Sequence, residues 1–143
     1  MSEQNQAIAT RFFAELCNGR NLGVADELFA AGHIYDDPAY PGVGSGPQGM
    51  KEFLSTFHRA YPDAHWTIDE MLAVEGAVIT RWTGRGTQSG ELPGIPPTGR
   101  TAVVQGVWIH RIVDGKIAQS FNVWDTLGML RQLGAIPAIA QAA

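Results

Sequence analysis

The residue best suited to acid/base chemistry in this sequence is Asp37, which lies among apolar and aromatic neighbours and is followed by Pro38. A carboxylate in such surroundings is a stronger base than one in water, because desolvation disfavours the charged form. A positioned base accelerates a reaction by about 10²–10⁴-fold. Asp36 should point the opposite way, into solvent, since neighbours in an extended segment alternate faces. We therefore predict Asp37 as a catalytic base, the alternative being a turn aspartate that bonds its own backbone.

Two further polar residues, Asn122 and Asp125, stand where the last predicted strand meets the last predicted helix. Asn122 shares strand parity with Ser120 and Trp124, and an amide there can hold a water or polarise a carbonyl group. A strand-end asparagine satisfied by backbone explains the same position. Asp125 begins the helix, so an N-cap or a supporting role competes with a catalytic one. The candidate catalytic residues are therefore Asp37, Asn122 and Asp125.

Aromatic side chains near these positions are candidates for binding a flat, apolar ligand. Trp108 shares strand parity with Gly106, which would leave room for its indole, and the indole could stack on a polycyclic ligand. A core tryptophan explains this pattern equally well. His110 has the same parity but is interpreted as a surface or rim residue. The candidate substrate-binding residues are Tyr35, Tyr40, Trp82, Trp108, His110 and Phe121.

The spacing of the remaining reactive residues predicts neither a metal nor a cofactor. The four histidines show no HxH or HExxH pattern, and Cys17 is the only cysteine, so we expect no metal site. The glycines form neither GxGxxG nor a phosphate-binding loop, so we expect no nucleotide cofactor. Cys17 lies on a helical pattern, where a small core residue is the better interpretation than a nucleophile.

Length and composition predict a single globular domain, residues 1–143. Hydrophobic residues make up 45% of the chain and charged ones 17%, a balance typical of folded proteins. The formal net charge is -4, and no Lys/Arg cluster stands out, so neither nucleic acid nor an anionic membrane is an expected partner. The N-terminus is polar and no apolar run could span a bilayer. We expect a soluble, cytoplasmic protein.

The first half of the chain is predicted to be mainly helical. Helical spacing of apolar residues predicts helices over residues 6–18, 22–30 and 48–61. Gly32 is expected to end the second helix, and residues 33–36 should form a short strand that stops before Pro38.

The second half is predicted to be mainly strands. Residues 64–74 alternate loosely, and residues 77–87, 101–113 and 116–123 alternate clearly. The last two runs flank Asp114-Gly115, a strong two-residue hairpin signal. A short helix over residues 124–134 follows, and the alanine-rich tail, 135–143, is expected to fray or to pack on a neighbouring subunit. Helices followed by strands favour an α+β fold with helices packed on one face of a curved antiparallel sheet.

A series of short segments in this order resembles the SnoaL-like polyketide cyclases, a family of the nuclear-transport-factor-2-like superfamily. The match spans nearly the whole chain and rests on Asp37-Pro38, Gly46-Pro47, Tyr61-Pro62-Asp63, Arg81-Trp82, the proline-rich loop 94–100, the hairpin 111–117, Trp124-Asp125 and the terminal segment 130–134.

The resemblance implies a cone-shaped curved antiparallel sheet packed against three N-terminal helices, which together enclose an apolar pocket. It implies an intramolecular aldol ring closure on a hydrophobic polyketide ester, without metal or cofactor, and a homodimer paired through the open sheet face.

The residues that the family uses fall on altered positions here. The acid/base aspartate of the cyclases falls on Asn122, and the asparagine before their proline falls on Asp37. One carboxylate and one amide are kept, but they have changed places. Trp108 stands where the cyclases carry a histidine that faces the cavity.

Three other functions remain open on the same fold. A ketosteroid-isomerase-like enzyme would place its base at Asp37, but its oxyanion tyrosine falls on Phe12 or Phe13 and its protonated aspartate near Trp108. An epoxide hydrolase of this fold needs an Asp-Arg-Asp relay. The candidate arginine, Arg81, is not followed by an aspartate at position 83, so the relay would be incomplete. The third alternative is a non-catalytic protein that binds a small molecule.

Overall fold

Most of the helices precede most of the strands in the computed structural model, which describes residues 2–136. Residues 137–143 of the predicted tail lie outside the described part. No helix within residues 2–136 is long and apolar enough to cross a membrane. The elements are α1 (Ser2–Arg11), continued by a π-helix (Phe12–Asn18), a 3₁₀ turn (Leu22–Val24), α2 (Ala25–Leu28), β1 (Phe29–Asp36), α3 (Gly46–Ala60), β2 (His65–Val74), β3 (Ala77–Thr87), β4 (Thr101–Val113), β5 (Lys116–Trp124) and α4 (Thr126–Gln132).

The five strands form one curved, unclosed sheet in the order β1-β5-β4-β3-β2. Strands β2 to β5 pair antiparallel, as predicted, whereas β1 pairs parallel to β5. The prediction that the second helix runs to residue 30 is wrong, because β1 already begins at Phe29. Phe29 is extended and is the ladder partner of Ile117, so pairing with a distant strand overrides the local helical pattern.

Aromatic packing fixes the N-terminal helical segment against the inner face of the sheet. The ring of Phe12 lies 4.9 Å from that of Trp108 and 6.0 Å from that of Phe29, both edge to face. Cys17, one turn further on, is buried, and burial raises the pKa of its thiol. These residues form one core with the inward side of α3, which presents Met50, Phe53 and Leu54 to the sheet.

The outer face of the sheet carries a row of exposed and half-buried apolar side chains. Leu72, Ile79, Ile109 and Phe121 are successive ladder partners across β2, β3, β4 and β5. Leu72 is 52% exposed and the other three are half-buried. We call this set the outer row.

Candidate functional site

The candidate site is centred on Asp37, which directly follows β1 and is only 3% exposed. Its Oδ1 accepts a hydrogen bond from the backbone N–H of Ala39 at 2.8 Å. Its Oδ2 accepts two more, from the hydroxyl of Tyr35 at 2.5 Å and from the indole N–H of Trp124 at 3.1 Å. Asp36 is exposed, so the predicted alternation of faces is confirmed. The structure thus gives Asp37 both the turn contact and a buried polar network.

Asn122 joins this network from the other side of Tyr35. Its Nδ2 donates to the Tyr35 hydroxyl at 3.1 Å, and Asn122 is 2% exposed. Burial, and then the hydrogen bond to Asp37, raise the pKa of Tyr35 well above its ordinary value, so the residue remains a phenol. A phenol has one hydrogen, and Tyr35 gives it to Asp37. Asn122 must therefore turn its NH₂ group to Tyr35, which leaves its buried Oδ1 without a hydrogen-bond partner.

A pocket lies beside this network, between α3 and the inner face of the sheet. It contains about 620 Å³ of space between side chains, including the part open to solvent. Its wall is largely apolar and aromatic. Residues on the wall include Phe53, Leu54, Phe57, Tyr61, Trp66, Trp82, Trp108, Asn122 and Trp124. Asp37 and Tyr35 are not wall residues, but they bond to Trp124 and Asn122, which are.

The structure brings together several of the predicted site residues and adds others that the sequence did not single out, Trp124 among them. Trp82, Trp108 and Asn122 lie on the pocket wall. Tyr40 packs beside the wall, with its ring stacked 6.2 Å from that of Trp124. Trp124 was missed, although its shared strand parity with Asn122 is a signal that could have identified it.

Gly106 makes room for a different residue from the one predicted. A Cβ atom at Gly106 would lie 2.5 Å from Cζ2 of Trp82 and 2.7 Å from Cβ of Trp124. The space above Gly106 on β4 is therefore filled by the indole of its ladder partner on β3, Trp82. Trp108, two residues along β4, does not fill it.

Two predicted site residues lie elsewhere. Asp125 is exposed, and its Oδ1 accepts a hydrogen bond from the backbone N–H of Gly128 at 2.8 Å, so it is the N-cap of α4. Phe121 belongs to the outer row, because it neighbours the inward-facing Asn122 and must face the other way. Neither is among the residues that line the pocket, and the contact of Asp125 is the N-cap that the sequence offered as the alternative to a catalytic role.

His110 is completely buried and is not a rim residue, contrary to the prediction. Its ring stacks on Trp108 at 5.1 Å and 8°, and its strand partner on β5 is Ser120. Ser120 in turn hydrogen-bonds the equally buried His33 across 2.8 Å. Burial lowers the pKa of His110 to about 3 and that of His33 to about 4, so both rings are neutral at physiological pH. Sequence reasoning missed His33.

No three His, Cys, Asp or Glu side chains between residues 2 and 136 come together as a possible metal site. The polar side chains beside the pocket, Asp37, Tyr35 and Asn122, offer groups for proton transfer and hydrogen bonding.

Comparison with known proteins gives one family and many similar folds. The model of the SnoaL-like polyketide cyclases matches residues 7–133. None of the curated proteins compared with the chain is a significant match. TsrD from Streptomyces laurentii is 29% identical over 95% of this chain and 98% of its own, with a TM-score of 0.83.

Two further solved structures show how varied the proteins of this fold are. IdmH from Streptomyces antibioticus, provisionally assigned as a polyketide cyclase, is 27% identical over 92% of this chain and 99% of its own, with a TM-score of 0.79. AclR from Streptomyces galilaeus, provisionally assigned as a hydroxylase, is 21% identical over 99% of this chain and 87% of its own, with a TM-score of 0.84. At that identity AclR shows the shared fold alone.

Proposed function

Because this chain belongs to the SnoaL-like polyketide cyclase family, we propose that it is a cofactor-independent acid/base enzyme acting on a hydrophobic carbonyl compound. The reaction we propose is an intramolecular aldol ring closure. The observation that carries this proposal is Asp37, a buried carboxylate tied by hydrogen bonds to the network of Tyr35, Asn122 and Trp124 beside the pocket.

The proposed reaction needs one group that removes a proton and later returns it. Asp37 takes a proton from a carbon beside the substrate's carbonyl groups, and the resulting enolate is delocalised over those carbonyls. The carbanion then forms a carbon–carbon bond to a second carbonyl carbon of the same molecule. The alkoxide produced takes the proton back from Asp37, which restores the carboxylate.

The hydrogen bonds of Asp37 are compatible with this role. A carboxylate has about four acceptor positions, and Ala39, Tyr35 and Trp124 occupy three of them. One position, on Oδ1, remains for the substrate proton. The three donors hold the carboxylate in one orientation, which is what a positioned base requires.

The same contacts favour a second candidate, a binding protein without catalytic activity. Both oxygens of Asp37 already have protein donors, and the residue does not contribute to the pocket wall. In such a protein Asp37 would only hold Trp124 and Tyr35 in place.

Two enzymatic alternatives have less support. Phe12 and Phe13, where an isomerase would carry its oxyanion tyrosine, are buried core residues without a hydroxyl group. The side chain of Arg81 is 50% exposed and pairs with Asp69 and Glu70, so it supplies no relay to the pocket.

Exchange of substrate protons in D₂O tests for a base without knowledge of the natural substrate. We would incubate the protein with 2-tetralone, a bicyclic ketone with acidic α-protons, and follow loss of its C1 proton signal by NMR. The proposed enzyme accelerates this exchange above the buffer rate. Saturable binding of 2-tetralone without acceleration would favour the binding protein instead.

We further propose that a second copy of this chain covers the outer row. The row crosses four strands, and the exposed Val123 adjoins it. Acidic and basic side chains frame it on the same face, with Asp36 on β1 and Arg111 on β4. Two copies related by a two-fold axis would bury both rows against each other.

Replacing Ile109 by arginine is expected to convert a dimer into a monomer, with a dimer dissociation constant raised about 100-fold or more. The two-fold axis places two new, desolvated charges in one interface, and an unpaired buried charge is costly. Sedimentation velocity at micromolar concentration measures the change. Thr67→Arg, on the same face but outside the outer row, is the matched control. A wild-type protein that sediments as a monomer would contradict the proposal.

A further inference from the structure

Two amide side chains each bind both backbone groups of one residue on an edge of the sheet. Asn18, at the end of the π-helix, accepts from the backbone N–H of Trp66 at 2.7 Å and donates to its carbonyl oxygen at 2.8 Å. Gln132, at the end of α4, accepts from the N–H of Val103 at 2.7 Å and donates to its carbonyl at 2.9 Å. A carboxamide offers the same donor and acceptor as a peptide group. Each side chain therefore takes the place of one residue of a neighbouring strand.

The first of these amides lies on the free edge of β2, the outermost strand on one side of the sheet. The ladder partner of Trp66 on β3 is Gly84, but the N–H and C=O of Trp66 bond to Asn18, so both point away from β3. Further along β2, a shift of register between Ile68 and Glu70 marks a bulge. A bulge twists an edge and hinders further pairing. Asn18 thus covers the regular stretch of edge that precedes the bulge.

The second amide lies on an edge of β4, where this strand extends past the end of β5. Beyond the ladder of the two strands, the N–H of Asp125 still bonds the carbonyl of Gln105 at 3.0 Å. The strand itself begins only at Thr101. Alternate residues present their backbone groups to the same side, so Val103 faces the same edge as Gln105. Gln132 binds β4 at this point, in the line that a longer β5 would follow.

The outermost strand on the other side of the sheet, β1, is approached by the start of α3. A Cβ atom at Gly46, the first residue of α3, would lie 2.8 Å from the carbonyl oxygen of Ala31 on β1. Gly46 also has a φ of +74°, a conformation that glycine adopts without strain. The chain therefore covers the edges of its sheet by three different means, namely a helix, a bulge and amide side chains.

We propose that Asn18 and Gln132 prevent a second copy of this chain from pairing with the sheet edge to edge. An uncovered strand edge is a template for a strand of another chain. Without its amide, Trp66 or Val103 presents an unpaired N–H and C=O. The same edge of a second copy, antiparallel about a two-fold axis, satisfies both groups. The inference is independent of the proposed function and concerns a different surface from the outer row.

Asn18→Ala and Gln132→Ala test the proposal, because alanine leaves the backbone groups of the edge without their amide. At the same concentration, each variant is expected to form species of about twice the wild-type mass, in a fraction that rises between about 1 and 200 µM and falls again on dilution. Sedimentation velocity measures the mass. A doubling relative to the wild type is expected whether the wild type is a monomer or a dimer.

Hydrogen exchange of single amides by NMR locates the new contact. At low concentration, the amide of Trp66 in Asn18→Ala and that of Val103 in Gln132→Ala should exchange at least about tenfold faster than in the wild type. At high concentration the same amides should become protected again, because the second copy binds them. A purely structural role of the amides predicts faster exchange at both concentrations.

Charged variants separate edge pairing from a loss of stability. Asn18→Asp and Gln132→Glu keep an acceptor for the N–H and place a charge on the edge, and charged side chains oppose edge pairing. These variants lose a hydrogen bond, as urea unfolding will show, yet they should keep the wild-type mass. Gln6→Ala, at an exposed amide of α1, is the matched control and should behave as the wild type.

Three results would overturn the proposal. The first is a pair of folded alanine variants that keep the wild-type mass at every concentration. The second is association of the charged variants as strong as that of the alanine variants. The third is association that does not reverse on dilution, or loss of folding in both alanine variants, since the amides would then be needed for folding and not for keeping two copies apart.

Discussion

Replacing Asp37 by asparagine is expected to lower the rate of C1 proton exchange on 2-tetralone at least 100-fold, while the affinity for this ketone changes no more than a few-fold. An amide has almost no basicity, and loss of a positioned base typically costs about 10²–10⁴-fold in rate. Affinity should be retained because asparagine has nearly the size of aspartate and can still accept hydrogen bonds from Tyr35 and Trp124. Exchange rates by NMR and affinity by titration measure the two effects separately.

The matched control is Asp36→Asn, which removes the same charge from the exposed neighbour. It should leave both rate and affinity unchanged. Asparagine at position 37 can keep its oxygen toward Tyr35 and Trp124, but it then points an NH₂ group at the Ala39 N–H, so a modest loss of stability is expected. Unchanged exchange in a folded Asp37→Asn protein would falsify the base assignment and leave the binding protein as the function.

Lowering the pH from 6.5 to 4.5 is expected to destabilise the protein by up to about 5 kcal/mol through His33 and His110. Burial lowers their pKa values to about 4 and about 3 in the folded state, against about 6.5 in an unfolded chain. Below pH 6.5 the unfolded chain therefore binds more protons than the folded one. The stability is fully present above pH 6.5 and is lost as the pH falls toward the folded-state values.

Urea unfolding at a series of pH values measures this loss, which is large against a typical folding stability of about 5–15 kcal/mol. His110→Leu should roughly halve the slope of stability against pH between 6.5 and 4.5. His65→Gln, at an exposed histidine, should leave the slope unchanged. If His110→Leu and the wild type show the same slope, burial of His110 does not contribute to it.

Most of the fold was predictable from the sequence because it depends on local patterns. The strand boundaries of β3 and β4 and the hairpin at Asp114-Gly115 follow from alternation and turn chemistry. The parallel pairing of β1 with β5 was not predictable, since it joins segments almost 90 residues apart. The helical spacing of apolar residues before residue 30 does not indicate that Phe29 pairs with a distant strand.

The candidate site was predictable only in part. Asp37 and Asn122 were identified, but the residue that connects them, Tyr35, was assigned to ligand binding. Its two hydrogen bonds, one of which spans 87 residues, could not be inferred from spacing. The positions of Phe121 and His110 were predicted wrongly although the alternation of faces along the strands was sufficient to place them. Alternation along β4 puts His110 on the inner face with Trp108, and alternation along β5 puts Phe121 on the outer face, away from Asn122.

The glycines beneath Trp82 and Tyr61 make the capacity of the pocket adjustable in one direction only. A shorter residue in place of either ring enlarges the accepted molecule without any change to the backbone. A Cβ atom at Gly106 would instead lie 2.5 Å from the Trp82 ring, and one at Gly86 would lie 2.9 Å from Cβ of Tyr61, so each would displace the aromatic side chain. Engineering toward bulkier compounds should therefore begin at positions 61 and 82.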